Sequence, residues 1–171
     1  MSKNKHMKIV MTGLFAAMIC ITTAFIFHIP IGNGYVHVGD SLIYLAACVL
    51  PFPYGIAAAA IGAAMADAMT GYVIYVIPTF IIKSLNAACF YAIGRQQKLF
   101  SVKTIIASAL SCFVTIVGYW LAAAILYGNP TAQFINTIIP NLIQGLGSAA
   151  IFLALGYAMD KSSISKKFLH V

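Results

Sequence analysis

From Ile9 to Gly94 this chain carries three charged side chains, Asp40, Asp67 and Lys83, and from Thr104 to Met159 it carries none. Uncharged runs of that length leave few folds open. Charged residues make up 8% of the sequence and hydrophobic ones 62%, whereas soluble domains carry roughly 25% charge. A water-exposed surface cannot be built from so little charge. Crossing a bilayer takes about 20 apolar residues at about 1.5 Å each, and several runs here are that long. The sequence reads as an all-α integral membrane protein, a single domain over residues 1–171.

The basic residues explain the orientation. The formal charge is +7, and nine of the ten basic residues fall in three clusters: Lys3, Lys5 and Lys8; Arg95, Lys98 and Lys103; Lys161, Lys166 and Lys167. Each cluster abuts an apolar run, and none is interleaved with aromatics as a nucleic-acid surface would be. Lys and Arg flanking membrane spans stay on the cytoplasmic side. The N-terminal run from Ile9 to Ile29 exceeds the roughly 7–15 residues of a signal-peptide core, so a retained first helix is expected.

The spans follow from where the runs break. A first helix is expected over about Lys8–Ile29, ended by Pro30, then a Gly-rich loop, "PIGNGYVHVG". The run from Ser41 to Ala66 is interrupted by "PFPYG", Pro51 to Gly55. Prolines and a glycine so close together break a helix, giving two short helices. A fourth lies within "VIYVIPTFIIKSLNAACFYAIG", a fifth over about Lys103–Tyr127 and a sixth over about Phe134–Met159, after "GNPTAQ" read as a turn. With six spans, all three basic clusters share one side and both termini are cytoplasmic. With five, the Arg95 cluster would face away from the N-terminal lysines. Six is the expectation.

This topology places the polar residues by depth. Lys83 lies about 15 Å into its helix, near the bilayer midplane, with Thr79 and Asn86 on its face. Asp40 opens the second helix and Asp67 lies near the outer end of the third. Asn141 and Gln144 follow Pro140 in the sixth. The outer half is polar and the inner half bland, which describes a cup open to the outside. Intramembrane charges mark function by default, so Lys83 is expected either to meet a ligand or to pair with Asp67 or Asp40. Asp40 also suits a helix cap, and the carboxamides suit interhelical hydrogen bonds. Tyr35 and His37 lie in the outer loop. Tyr72, Tyr75, Trp120 and Tyr127 fit interfacial belts, with Tyr35 and Tyr75 able to stack on a ring. The cysteines Cys20, Cys48, Cys89 and Cys112 match no zinc or redox spacing and read as small core residues. In the first helix Gly13 and Ala17, with Ala16 beside them, let another helix approach closely. No P-loop, H-E-x-x-H or G-x-S-x-G occurs, so neither ATP binding by this chain nor covalent catalysis is expected, and no cofactor or metal is called for.

The stretch Gly34–Gly94 resembles the substrate-binding (S) components of energy-coupling factor (ECF) transporters. The pieces that carry the resemblance are "GYVHVGD", "YGIAAAAIGAAMAD", "TGY" and "PTFIIKSL", in that order. The resemblance implies a six-helix protein of the cell membrane that captures a vitamin or vitamin precursor. Its implied partners are a transmembrane coupling (T) subunit and two ATPases, with Gly13-x-x-x-Ala17 in the place of an Ala-x-x-x-Ala motif that meets the coupling subunit. "LPFPYG" departs from the family's more usual Leu-Gly-Pro. The expected ligand contacts are Lys83, Asn86, Asp40, Asp67, Tyr35, His37, Tyr75, Thr79, Asn141 and Gln144. A hydroxymethylpyrimidine- or pyridoxine-like ligand is favoured on these residues, with pantothenate and riboflavin also open. A stand-alone proton-coupled transporter and an intramembrane enzyme are the alternatives; the absence of inverted repeats counts against the first.

Overall fold

The computed structural model describes residues 3–31, 34–93 and 98–162. Arg95, Lys166 and Lys167 of the basic clusters lie outside them. The elements run α1 (Lys3–Phe25), β1 (Ile29–Ile31), β2 (Gly34–Val36), α2 (Asp40–Val49), α3 (Tyr54–Met69), α4 (Val76–Ala92), α5 (Val102–Tyr127) and α6 (Pro130–Lys161), with a 3-10 turn at Val73–Tyr75 before α4. Four helical stretches are long and apolar enough to cross a membrane: Lys5–Phe25, Val73–Ala92, Val102–Tyr127 and Pro130–Lys161. The expected break is present over Leu50–Pro53, while Tyr54 and Gly55 already belong to α3; α2 and α3 have 10 and 16 residues. At about 1.5 Å per residue each falls short of a full crossing on its own. Among the described residues there are six α-helices, and four helical stretches are long and apolar enough to cross a membrane.

The first helix starts earlier than expected, at Lys3, and the third runs on to Met69; two further boundaries shape the cavity end. The first helix stops at Phe25, before Pro30, because Phe27 takes a left-handed conformation at φ 53°. The chain that follows forms a small antiparallel hairpin rather than an open loop, with Ile29 opposite Val36 and Pro30 opposite Tyr35. Pro30 lacks an N–H, which suits it to an edge strand. The last helix starts at Pro130, not Phe134. Asn129 caps it by accepting from the Ala132 N–H at 3.2 Å, and Pro130 occupies the first turn, where a missing N–H costs nothing.

The helices pack in the sequence α1–α3–α4–α5–α6, and α2 lies among them, touching α1, α3, α4 and α6. A helix enclosed by neighbours can be apolar all round, and eight of the ten α2 residues are buried. Gly62 sets the α1–α3 approach: a Cβ there would lie 2.5 Å from the Ala16 carbonyl oxygen. Away from the hairpin, Tyr44, Phe90 and Phe152 pack ring to ring with centroids 5.0–5.7 Å apart, and Leu50 and Leu99 close that layer. The turn before α5 is tied down by Asp160, whose carboxylate accepts from the Leu99 and Phe100 N–H groups. Outward, α1, α4, α5 and α6 expose large apolar side chains such as Val10, Ile77, Ile125 and Ile135. Such a surface needs lipid.

Candidate ligand cavity

The hairpin end of the bundle contains a cleft with about 610 Å³ of empty space, its mouth included. The hairpin contributes Ile31, Gly34 and Tyr35, and His37 follows it. From α3 comes Asp67, from the segment leading into α4 Tyr72 and Tyr75, and from α5 Tyr119. The remaining wall is one face of α6: Gln133, Asn136, Thr137, Pro140, Asn141 and Gln144. Those α6 positions recur at intervals of three and one, a single helical stripe about 16 Å long.

The two sides of the cavity differ in chemistry. One side is aromatic. Tyr35 stacks on His28 at 4.0 Å and lies 4.8 Å from the Tyr72 ring, and Tyr75 lies 6.2 Å from Tyr119. The other side, along α6, presents amides and a hydroxyl. Asn141 donates its Nδ2 to the Thr137 carbonyl at 2.8 Å, within its own helix, which leaves its side-chain oxygen available.

The hairpin is held over the cavity by named contacts. Tyr35 donates its hydroxyl to Asp67 Oδ1, and Tyr72 donates to the Gly34 carbonyl at 3.2 Å. Burial, and then the adjacent Asp67 carboxylate, push the Tyr35 hydroxyl well above the usual phenol range, so it stays a donor. His37 accepts the Gly39 N–H at Nδ1, 3.0 Å away. Its proton therefore sits on Nε2. Burial holds the imidazole pKa at about 3, with Asp40 opposing the shift.

Of the ten residues expected from sequence to meet a ligand, six line the cavity: Tyr35, His37, Asp67, Tyr75, Asn141 and Gln144. The other four stand behind the wall. Lys83 and Asp40 are fully buried, with Nζ 2.7 Å from Oδ1 and 2.9 Å from Oδ2. Of the two carboxylates open to Lys83, it takes Asp40. Gln144 donates to Asp40 Oδ2 at 3.0 Å, and the Tyr119 ring centroid lies 5.2 Å from the ammonium. Asn86 donates to Thr115 at 2.8 Å, and Thr79 pairs with the Tyr119 hydroxyl at 2.9 Å and lies beside Asp67. Sequence reasoning did not single out Tyr119, Gln133, Asn136 or Thr137. In α1, Gly13 and Ala17 are exposed, while Ala16 is buried against Gly62 of α3.

These features define a class: a helical, multi-pass membrane protein with a partly open cleft under a small hairpin at one end of its bundle. Residues 3–161 match the family model described as ECF-type riboflavin transporter, S component, and the chain belongs to that family. A curated protein of Pyrococcus woesei, described only as an uncharacterized protein in a gap 3′ region, is 28% identical over 135 residues, covering 78% of this chain and 87% of its own length. No solved structure gives a significant match. Membership makes this chain a substrate-capture subunit of an ECF transporter, acting with membrane and ATPase partners rather than as an enzyme.

Proposed function

We propose that this chain captures riboflavin at the outer face of the cell membrane. The observation that carries the reading is the two-sided cavity. A flat heteroaromatic ring suits the tyrosine wall, where stacked rings gain about 0.5–1.5 kcal/mol beyond burial. A chain of hydroxyls suits the amide stripe of α6, because each hydroxyl both donates and accepts. The family description points to the same compound. A small pyrimidine or pyridine would leave much of the stripe unpaired, and unpaired buried polar groups are what give such sites their selectivity.

The reading extends to topology and partners. All six helices enter the membrane, with the hairpin outside and both termini in the cytoplasm. Lys5, Lys8, Lys98, Lys103 and Lys161 all lie at the end opposite the hairpin, in line with the positive-inside rule. The exposed Gly13–Ala17 face of α1 meets the coupling subunit, which works with two ATPases. Cavity residues touch the vitamin, while Lys83, Asp40, Asn86 and Thr79 hold the wall from behind.

The test is a titration of the purified chain, in detergent, with riboflavin, pyridoxine, hydroxymethylpyrimidine and pantothenate, following flavin fluorescence and competition. Riboflavin is expected to saturate the protein at one per chain and the others not to displace it. No flavin binding, or displacement by one of the smaller compounds, overturns the assignment. Uptake into liposomes containing this chain alone, driven by a pH gradient, would replace it with proton-coupled transport.

A further inference from the structure

The cavity wall is unbalanced in charge and in hydrogen-bond capacity. Among the described residues no lysine or arginine lines it. The cation at this depth, Lys83, is fully buried and lies within 3 Å of both oxygens of Asp40. Its charge is already matched. His37, the remaining basic group of the wall, makes its neutral-state hydrogen bond from Gly39. Against this, the wall contains one carboxylate. Asp67 is 3% exposed; Oδ1 accepts from Tyr35, the Thr79 hydroxyl lies beside the carboxylate, and Oδ2 is buried with no hydrogen bond of normal geometry. A second buried oxygen in the wall, Gln133 Oε1, also has none. A buried polar atom without a partner costs stability until something supplies it.

We propose that the cavity selects uncharged, donor-rich ligands against their phosphorylated or carboxylated counterparts, and that Asp67 is the residue that sets this selection. A ligand hydroxyl or ring N–H satisfies Asp67 Oδ2 and gains a hydrogen bond to a charged acceptor. A phosphomonoester carries about −1.5 to −2 charge near neutral pH. It would meet the Asp67 carboxylate with no unpaired cation in the cavity wall, since Lys83 is taken by Asp40, and would lose its water without compensation. The inference rests on the flavin reading for its probes but not for its logic.

The experiment compares riboflavin with riboflavin 5′-phosphate on the purified full chain. The wild type is expected to hold riboflavin at least about tenfold tighter, the size of one uncompensated charge contact in a partly buried site. Asp67→Asn keeps the shape and still accepts from Tyr35, so it isolates the charge; it should narrow the gap several-fold, mainly by strengthening the phosphate. Asn136 is exposed on the same wall, so Asn136→Lys adds a cation at little risk to folding and should narrow the gap as well. Equal affinities in the wild type, or an unchanged gap in both variants, overturns the charge selection while leaving riboflavin capture intact. If riboflavin itself fails to bind, the flavin reading falls, and the same variants with pyridoxine and its 5′-phosphate decide the charge selection separately.

Discussion

Helices α4 and α6 both carry polar side chains within long apolar stretches, yet they use them in opposite ways. On α4 the polar groups face other parts of the protein: Lys83 takes Asp40, Asn86 takes Thr115 and Thr79 takes Tyr119. On α6 they face the cavity from Gln133 to Gln144. A polar residue inside a membrane helix therefore has two possible destinations, and its depth does not choose between them. The choice depends on what the neighbouring helices present. Against α4, α2 and α5 offer a carboxylate and hydroxyls. Across the cleft from α6 stand the hairpin with Tyr35, then Tyr72, Tyr75 and Tyr119.

If this contrast is right, Lys83→Met should be the most damaging single change and should act on folding. It would leave the Asp40 carboxylate buried without its cation, which costs about 3–5 kcal/mol. The thermal midpoint in detergent should fall steeply. Replacing the pair with Lys83→Met and Asp40→Leu together should recover most of the loss, since apolar residues of similar volume substitute well for a buried ion pair. A Lys83→Met protein that melts like the wild type but no longer holds the ligand would erase the distinction between the two helices.

Gln144 belongs to both groups, because it lines the cavity and donates to Asp40. Gln144→Ala removes a hydrogen bond to a charged acceptor, about 1.5–3 kcal/mol. Both readouts should move, with a lower melting point and weaker ligand binding in the same protein. Movement in one alone would assign Gln144 to a single group and sharpen the boundary between them.

His37 tests the link between hairpin and α2, where it accepts the Gly39 N–H. Its folded pKa of about 3 lies below the ordinary 6.5, so the unfolded chain binds the extra proton first as pH falls. The neutral imidazole's contribution is complete above about pH 6.5 and is lost progressively as pH drops from there toward 3. The slope is about 1.4 kcal/mol per pH unit, or about 2 kcal/mol at pH 5. Melting at pH 5 and 7.5 should show this loss in the wild type and a smaller one in His37→Gln. Equal acid sensitivity in the two proteins would assign the acid loss to another group.

The sequence made the membrane fold legible through composition, and the broken middle helix through Pro51 and Pro53, whereas Gly55 sits inside α3. It also marked Lys83 as important. Its partner was not legible: Asp40 lies 43 residues away, and Asp67 was an equal candidate until the helices were placed. The α6 stripe could have been read. Taking "GNPTAQ" as a turn began the helix at Phe134 and cut off Gln133, so Asn141 and Gln144 stood alone. Asn129 followed by Pro130 is a helix-start signal, and from Pro130 the polar positions 133, 136, 137, 141 and 144 fall on one face, with Pro140 among them. Tyr119 carries no such mark. On an apolar helix a tyrosine toward lipid headgroups and one toward a cavity look alike in sequence, and only the packing of α5 against α4 separates them.

The smallest expected effects come from the most direct form of the contrast, the same residue on each helix. Asn86 is fully buried, and its bond to Thr115 joins α4 to α5. Asn86→Ala leaves the Thr115 hydroxyl unpaired and opens a void, so it should cost about 1–3 kcal/mol of stability with the ligand affinity of the surviving folded protein nearly unchanged. Asn141 lines the cavity and bonds only within its own helix. Asn141→Ala removes nothing that joins two helices, so its melting point should stay close to that of the wild type. Ligand affinity should instead weaken by about 1 kcal/mol, roughly fivefold. Melting curves and titrations on the two variants give four numbers, and the contrast requires them to cross. Two asparagines that shift both readouts in parallel would mean that α4 and α6 form one shared network, with no division between frame and binding surface.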